Sequence, residues 1–181
     1  MPIALGLVGM LLVAPLAHAG ADAARISAPS HPPIVVGTTA IGPDHVISAR
    51  NTAYGRNLSP EVNWSPVPGA RAYALILDDP DASHPAPFVH WLVWDIPGAV
   101  HRLAEGIVPA PAVQGRNGRG EVGYFGPRPP SGTHHYHLRL YALRGPLALA
   151  AGADREALDT AMKGKVLASG EIIGLVSAPK G

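Results

Sequence analysis

Across 181 residues the sequence contains no cysteine. That absence removes disulfide bridges, thiolate zinc sites and cysteine nucleophiles from the possible chemistry. It also leaves no thiol to carry a lipoprotein's acyl chains. Stability must therefore come from a packed core, which a chain of this length buries enough surface to build. Charge is scarce as well: charged residues make up 15% of the chain, with a formal net charge of +1. A polyanion-steering surface for nucleic acid and a charge-rich disordered tail are both excluded by that balance. Long helical patterns are nearly missing. What the chain has instead is 21 glycines, 20 prolines and 47% hydrophobic residues. Short apolar runs between turn residues indicate one mostly β domain.

The only long apolar run lies at the N-terminus, IALGLVGMLLVAPLAHA. It is short and broken by Gly and Pro, which disfavours a spanning helix. The small-residue patterns Ala17-His18-Ala19 and Ala21-Asp22-Ala23 follow it. This is the form of a secretory signal over residues 1–23, cleaved after Ala19 or Ala23. No Lys or Arg precedes the run, so an uncleaved membrane anchor is the alternative. The expectation is a periplasmic or secreted protein whose mature form has no transmembrane segment. Residues 24–33 form an Ala/Ser/Pro-rich lead-in to a single domain over 24–181.

Along that domain, IVVGTTAIGPDHVIS suggests two short strands around a Gly-Pro-Asp turn, and the proline-rich 57–70 suggests an extended loop. RAYALILDD (71–79) is continuously apolar, a strand buried on both faces. FVHWLVWDIP (88–97) is a second strand and HHYHLRLYAL (134–143) a third. Alternation in the third puts His134, Tyr136, Leu138 and Leu140 on one face and His135, His137, Arg139 and Tyr141 on the other. One helix is expected over 154–163, with Asp154 as N-cap and Gly164 past its end. The following KVLASGEIIGLV is ambiguous and ends in a strand.

Two literal motifs carry no chemistry. Gly118 to Gly123 matches G-x-G-x-x-G, but a dinucleotide site needs a helix after it, and YFGPRPP cannot be helical. No G-x-S-x-G nucleophile elbow exists, and inventory alone does not make a triad. The informative set is Asp79-Pro80-Asp81, His90, and His134 with Tyr136. If the three strands are neighbours, carboxylates and imidazoles converge at one rim. Each member has an ordinary structural explanation, because Asp-Pro-Asp is a turn former and a strand histidine is often a bonded core residue. The convergent set fits either a metal site or an anion pocket. The spacing of most metal sites is absent, which favours the anion. No cofactor is implied.

The stretch DDPDA, the His-Trp of the next strand and GYFGPRPPSGTHHYHLRLYAL together resemble the phosphatidylethanolamine-binding protein family, and within it the bacterial Raf-kinase-inhibitor-like branch. The resemblance runs from about Asn57 to Val176. It implies a large antiparallel sheet packed on a smaller one with a few peripheral helices. It also implies a pocket for phosphate-like or carboxylate anions or phospholipid headgroups. Carried over by position, Asp79, Asp81, His90, Gly126, Pro129, His134 and Tyr136 match the family's pocket. His90 and His134 would be anion donors, with Asp79 orienting an imidazole. Three positions depart from the pattern: Ser83 stands where a proline is usual, Phe88 where a tryptophan is common, and Val176 where many relatives have tyrosine. The function expected is non-enzymatic binding of a small anion. The alternatives are a surface inhibitor of a hydrolase or kinase, acting through His84 to Pro87, and an esterase or metal-dependent enzyme.

Overall fold

The computed structural model describes residues 31–180; the signal and cleavage sites expected over 1–23 lie outside the described residues. Eight strands, one α-helix and a short 3-10 turn follow in chain order. They are β1 (Val36–Gly37), β2 (Val62–Trp64), β3 (Ala72–Asp79), β4 (Phe88–Pro97), β5 (Arg102–Leu103), β6 (Val113–Gln114), β7 (Thr133–Leu143), α1 (Arg155–Met162) and β8 (Val166–Ser177). A three-stranded sheet has the order β1-β2-β5 and a five-stranded sheet the order β6-β4-β3-β7-β8. All pairings within both sheets are antiparallel. Among the described residues no helix is long and apolar enough to cross a membrane.

β3 lies at the centre because every residue in it is buried. Tyr73, Leu75 and Leu77 face the small sheet, joining Val62, Trp64 and Leu103 in the core between the sheets. Ala72, Ala74 and Ile76 face the other way, onto Leu158 and Met162 of α1. The three layers are therefore small sheet, large sheet and helix. The Asp154 side chain accepts from Ala157 N at 2.9 Å and caps α1. Past its end Gly164 takes a φ of 73°, the left-handed position that favours glycine. Trp91 Nε1 donates to Gln114 Oε1 at 2.9 Å and Trp94 Nε1 to the Leu149 carbonyl at 3.0 Å. Trp64 is buried in the inter-sheet core, and its indole N–H has no partner.

Three segments differ from expectation. Within 57–70, expected as loop, Val62–Trp64 forms β2, because partners on both sides, β1 and β5, supply ladder bonds that the flanking prolines cannot. In the IVVGTTAIGPDHVIS stretch only Val36–Gly37 is a strand; Ile41 and Ile47 meet as a single bridge across the turn. β8 is a strand over its whole length and pairs with β7 from Thr133 to Leu143. Its alternation is masked by Gly170, where a Cβ would stand 2.1 Å from the Ile34 carbonyl oxygen, and by Gly174, which packs on Ile47. These glycines mark close crossings rather than turns.

Strand β4 carries the irregularity that matters most for the site. Leu77 pairs with Trp91, and the next residue, Asp78, pairs with Val89. His90 is thus the extra residue of a β-bulge. Strict alternation with Leu92 and Trp94, which face α1, would send His90 to the helix side. The bulge turns it to the opposite face, against Tyr136.

Candidate functional site

Because β4, β3 and β7 are consecutive in the sheet, the end of β3 lies beside the starts of β4 and β7. A cavity of about 480 Å³ opens at this rim. Asp79, His90, Pro129, His134 and Tyr136 line it, together with Phe88, Ser83, Phe125, Arg119 and Arg128. Five of the seven expected residues therefore share one cavity.

The remaining two lie beside it. Gly126 stands behind the wall: its N–H donates to Asn57 Oδ1 at 2.7 Å, and a Cβ there would come within 2.7 Å of Ala53 N. Only the smallest residue lets the 124–130 loop pack this closely on the 51–57 segment. Asp81 turns away from the cavity. Its Oδ2 accepts from the backbone N–H of His135 at 2.8 Å and pairs with His135 Nδ1 at 2.7 Å. These bonds, the side-chain one first, hold the Asp81 carboxyl below the usual carboxylate range. Asp81 thus pins the start of β7 to the turn after β3.

Asp79 is 3% exposed and fully engaged. Its Oδ2 meets His134 Nδ1 at 2.8 Å, and its Oδ1 accepts from Asp81 N at 2.9 Å. A carboxylate can only accept, so the His134 Nδ1 carries the hydrogen and Nε2 is the nitrogen left over. His90, also 3% exposed, uses Nδ1 to donate to the Phe125 carbonyl at 2.7 Å. Its ring is wedged between aromatic faces, tilted against Phe88 at 4.9 Å, parallel to Phe125 at 5.8 Å and edge-on to Tyr136 at 5.2 Å. Burial pushes the His90 pKa down, against the opposing pull of the Phe125 carbonyl and of Asp79. The Tyr136 hydroxyl is buried beside the Asp79 carboxylate and makes no well-formed hydrogen bond. Burial first, and then the neighbouring Asp79 carboxylate, push its pKa up, so it stays a protonated donor.

Two cations stand at the rim. The Arg119 guanidinium lies 4.8 Å from the Phe125 ring centroid, and that of Arg128 lies 5.9 Å from the ring of Tyr54. The wall between them is braced: the Tyr54 hydroxyl donates to the Pro129 carbonyl, the Tyr124 hydroxyl to that of Asn51, and Phe125 N to the His90 carbonyl. Sequence reasoning missed Arg119, Arg128 and Phe125 as lining residues. Arg119 sits in the glycine-rich segment set aside as a false dinucleotide motif, and nothing local shows that this loop folds back over β4. Of the departures from the family pattern, Ser83 and Phe88 line the cavity, whereas Val176 pairs opposite His134 and is buried in the core. The His84–Pro87 segment is exposed. His84, Ala86 and Pro87 edge a second cavity of about 400 Å³ on the helix side, beside Arg155 and Asp159, with Phe88 lining both.

A two-sheet β protein with an acid–histidine cavity at the open end of its central strands is a defined class. The phosphatidylethanolamine-binding protein family profile matches residues 37–177, and the chain belongs to that family. A UPF0098 protein of Methanothermobacter thermautotrophicus is 44% identical over 135 residues, 71% of this chain and 89% of its own. A Mycobacterium tuberculosis protein that carries a lipoprotein name, LppC, is 37% identical over 132 residues, 72% of this chain and 65% of its own. Among solved structures, CT736 of Chlamydia trachomatis superposes with a TM-score of 0.76 at 32% identity, covering 81% of this chain and 99% of that one. YbcL of E. coli, described as a member of the mammalian family, gives 0.75 at 28% identity with the same coverage. The sequence expectation of family and fold is borne out.

Proposed function

We propose that the protein is an exported, non-enzymatic binding protein whose cavity takes the anionic headgroup of a small molecule or phospholipid. The observation that carries this is the Tyr136 hydroxyl, buried in the cavity wall without a well-formed hydrogen bond, its one acceptor neighbour being the Asp79 carboxylate that His134 and the Asp81 N–H already occupy. A buried donor left in this state costs free energy unless a ligand satisfies it. The surroundings suit an oxyanion. Arg119 and Arg128 supply positive charge at the mouth. The carboxylate on the floor, Asp79, is already bonded by His134 and by the Asp81 N–H. The family's name, phosphatidylethanolamine-binding protein, points the same way. Export rests on the N-terminal sequence pattern and on the lipoprotein name of the mycobacterial relative.

The test is a titration with phosphoethanolamine, following the imidazole resonances of His90 and His134. Saturable shifts at both are expected, and no perturbation at either would overturn the reading. An ester-substrate screen with purified protein is expected to show no turnover; hydrolysis abolished by His134→Asn would make the cavity an active site instead. An inhibitor acting through the exposed His84–Pro87 segment has its exposure in its favour but no buried donor of that kind.

A further inference from the structure

The rim cavity and the helix-side cavity are neighbours, and the same two loops border both. Ala82 and Ser83 line the first, and His84 and Ala86 the second; Arg119 lines the first and Gly118 the second. Phe88 lines both. A Cβ on Gly118 would stand 2.6, 2.7 and 2.9 Å from three carbons of the Phe88 ring, so the ring lies against the Gly118 backbone. Its centroid is 4.9 Å from that of the His90 ring. One aromatic side chain thus stands between the two spaces.

Their chemistry differs. The rim cavity holds the imidazoles, the Tyr136 hydroxyl and two arginines. The helix-side cavity, about 400 Å³, has an apolar wall of Ala86, Pro87, Phe88 and Val89. Its charged groups are committed to the protein. Arg155 pairs with Asp78 and Asp159, the Asp154 carboxylate caps α1, and Arg116 Nη1 donates to the Gly120 carbonyl at 2.8 Å. The apolar wall, rather than these groups, is what such a space offers a ligand.

We propose that the helix-side cavity is a second subsite, taking one aliphatic chain of a ligand whose anionic head sits in the rim cavity. This rests on the anion-site reading above and adds the class of molecule, a single-chain alkyl phosphate or phosphonate. Phe88 is only half-buried, so the chain passes along its exposed side, beside the His84–Pro87 segment. Phe88 is then the residue that sets how head and chain are joined across the two spaces.

The experiment titrates the purified protein with methyl phosphate and hexyl phosphate by calorimetry, and records NOEs from the hexyl chain. Each methylene taken out of water tightens binding about fourfold, so hexyl phosphate is expected to bind at least about tenfold more tightly than methyl phosphate. Its terminal methyl is expected to show NOEs to Val89 and Ala86. Ala86→Phe puts a ring into the helix-side cavity from an exposed loop, and is expected to bring the ratio of the two affinities close to one. Equal affinities in the unaltered protein, a ratio that Ala86→Phe leaves unchanged, or NOEs to Pro129 and Pro130 instead would overturn the chain subsite and leave the anion site standing. Tighter binding of dihexyl phosphate than of hexyl phosphate would overturn the restriction to one chain. If neither methyl nor hexyl phosphate shifts His90 or His134, the anion-site reading fails and the chain subsite with it.

Discussion

Asp78 and Asp79, adjacent in β3, hold opposite faces of the large sheet. The Asp79 carboxylate bonds His134 in the cavity. That of Asp78, 1% exposed, takes Arg139 Nη1 at 2.7 and 2.8 Å and Arg155 Nη1 at 2.6 Å on the helix side. Arg139 passes the pairing on to Glu171, and Arg155 to Asp159. One strand end therefore anchors the cavity floor and the seat of α1 together.

The first prediction concerns that outer carboxylate. Replacing both Arg139 and Arg155 with methionine leaves Asp78 buried and unpaired, and is expected to cost about 3 kcal/mol in urea unfolding. Adding Asp78→Asn to the double variant is expected to restore much of the loss. A triple variant no more stable than the double would show that Asp78 is reached by water.

Tyr136→Phe separates stability from binding. Deleting a buried hydroxyl that makes no well-formed hydrogen bond is expected to leave stability unchanged or raise it by about 1 kcal/mol. Methyl phosphate binding is expected to weaken in the same variant. A stability loss like that of an ordinary core truncation would mean that the hydroxyl is satisfied in the free protein.

Gly126→Ala tests the wall. The new methyl would meet Ala53 N and the Thr52 carbonyl carbon, both at 2.7 Å, and Asn51 O at 2.9 Å, all of them backbone. Overpacking of this kind costs about 1–3 kcal/mol. The loop carrying Phe125, Arg128 and Pro129 is expected to shift, so His90 resonances should move without any ligand.

The pH dependence has a defined sign. Burial depresses the His90 pKa in the folded protein, so below an ordinary histidine pKa of about 6.5 the unfolded chain binds a proton that the folded one resists. Stability is full above that pH and is lost as pH falls through the folded value. His90→Gln is expected to flatten this part of the urea-midpoint curve. An unchanged slope would place the acid sensitivity elsewhere.

The central strands and the helix were legible because their signals are local: an unbroken apolar run in β3, alternation in β7, and an Asp154 cap with Gly164 for α1. Convergence of Asp79, His90, His134 and Tyr136 was legible because antiparallel neighbours bring alternate strand ends to one rim. What escaped depends on tertiary partners. β2 is a strand by virtue of the strands beside it, and β8 is disguised by glycines that make room for other segments. Asp81 shares a motif with Asp79, yet the turn after β3 rotates it towards His135. The bulge at His90 is invisible in the pattern, since its period matches that of Leu92 and Trp94. Two histidines at one rim suggested two donors; only the bond from Nδ1 to the Phe125 carbonyl decides which hydrogen His90 has left to give.

All three tryptophans lie in the inter-sheet core or against α1, and none lines the His90 cavity. Intrinsic fluorescence will therefore be nearly blind to occupancy, and a flat emission titration says nothing about whether the site is filled. An indole at Phe88, which forms the cavity wall, would turn that silence into an optical signal.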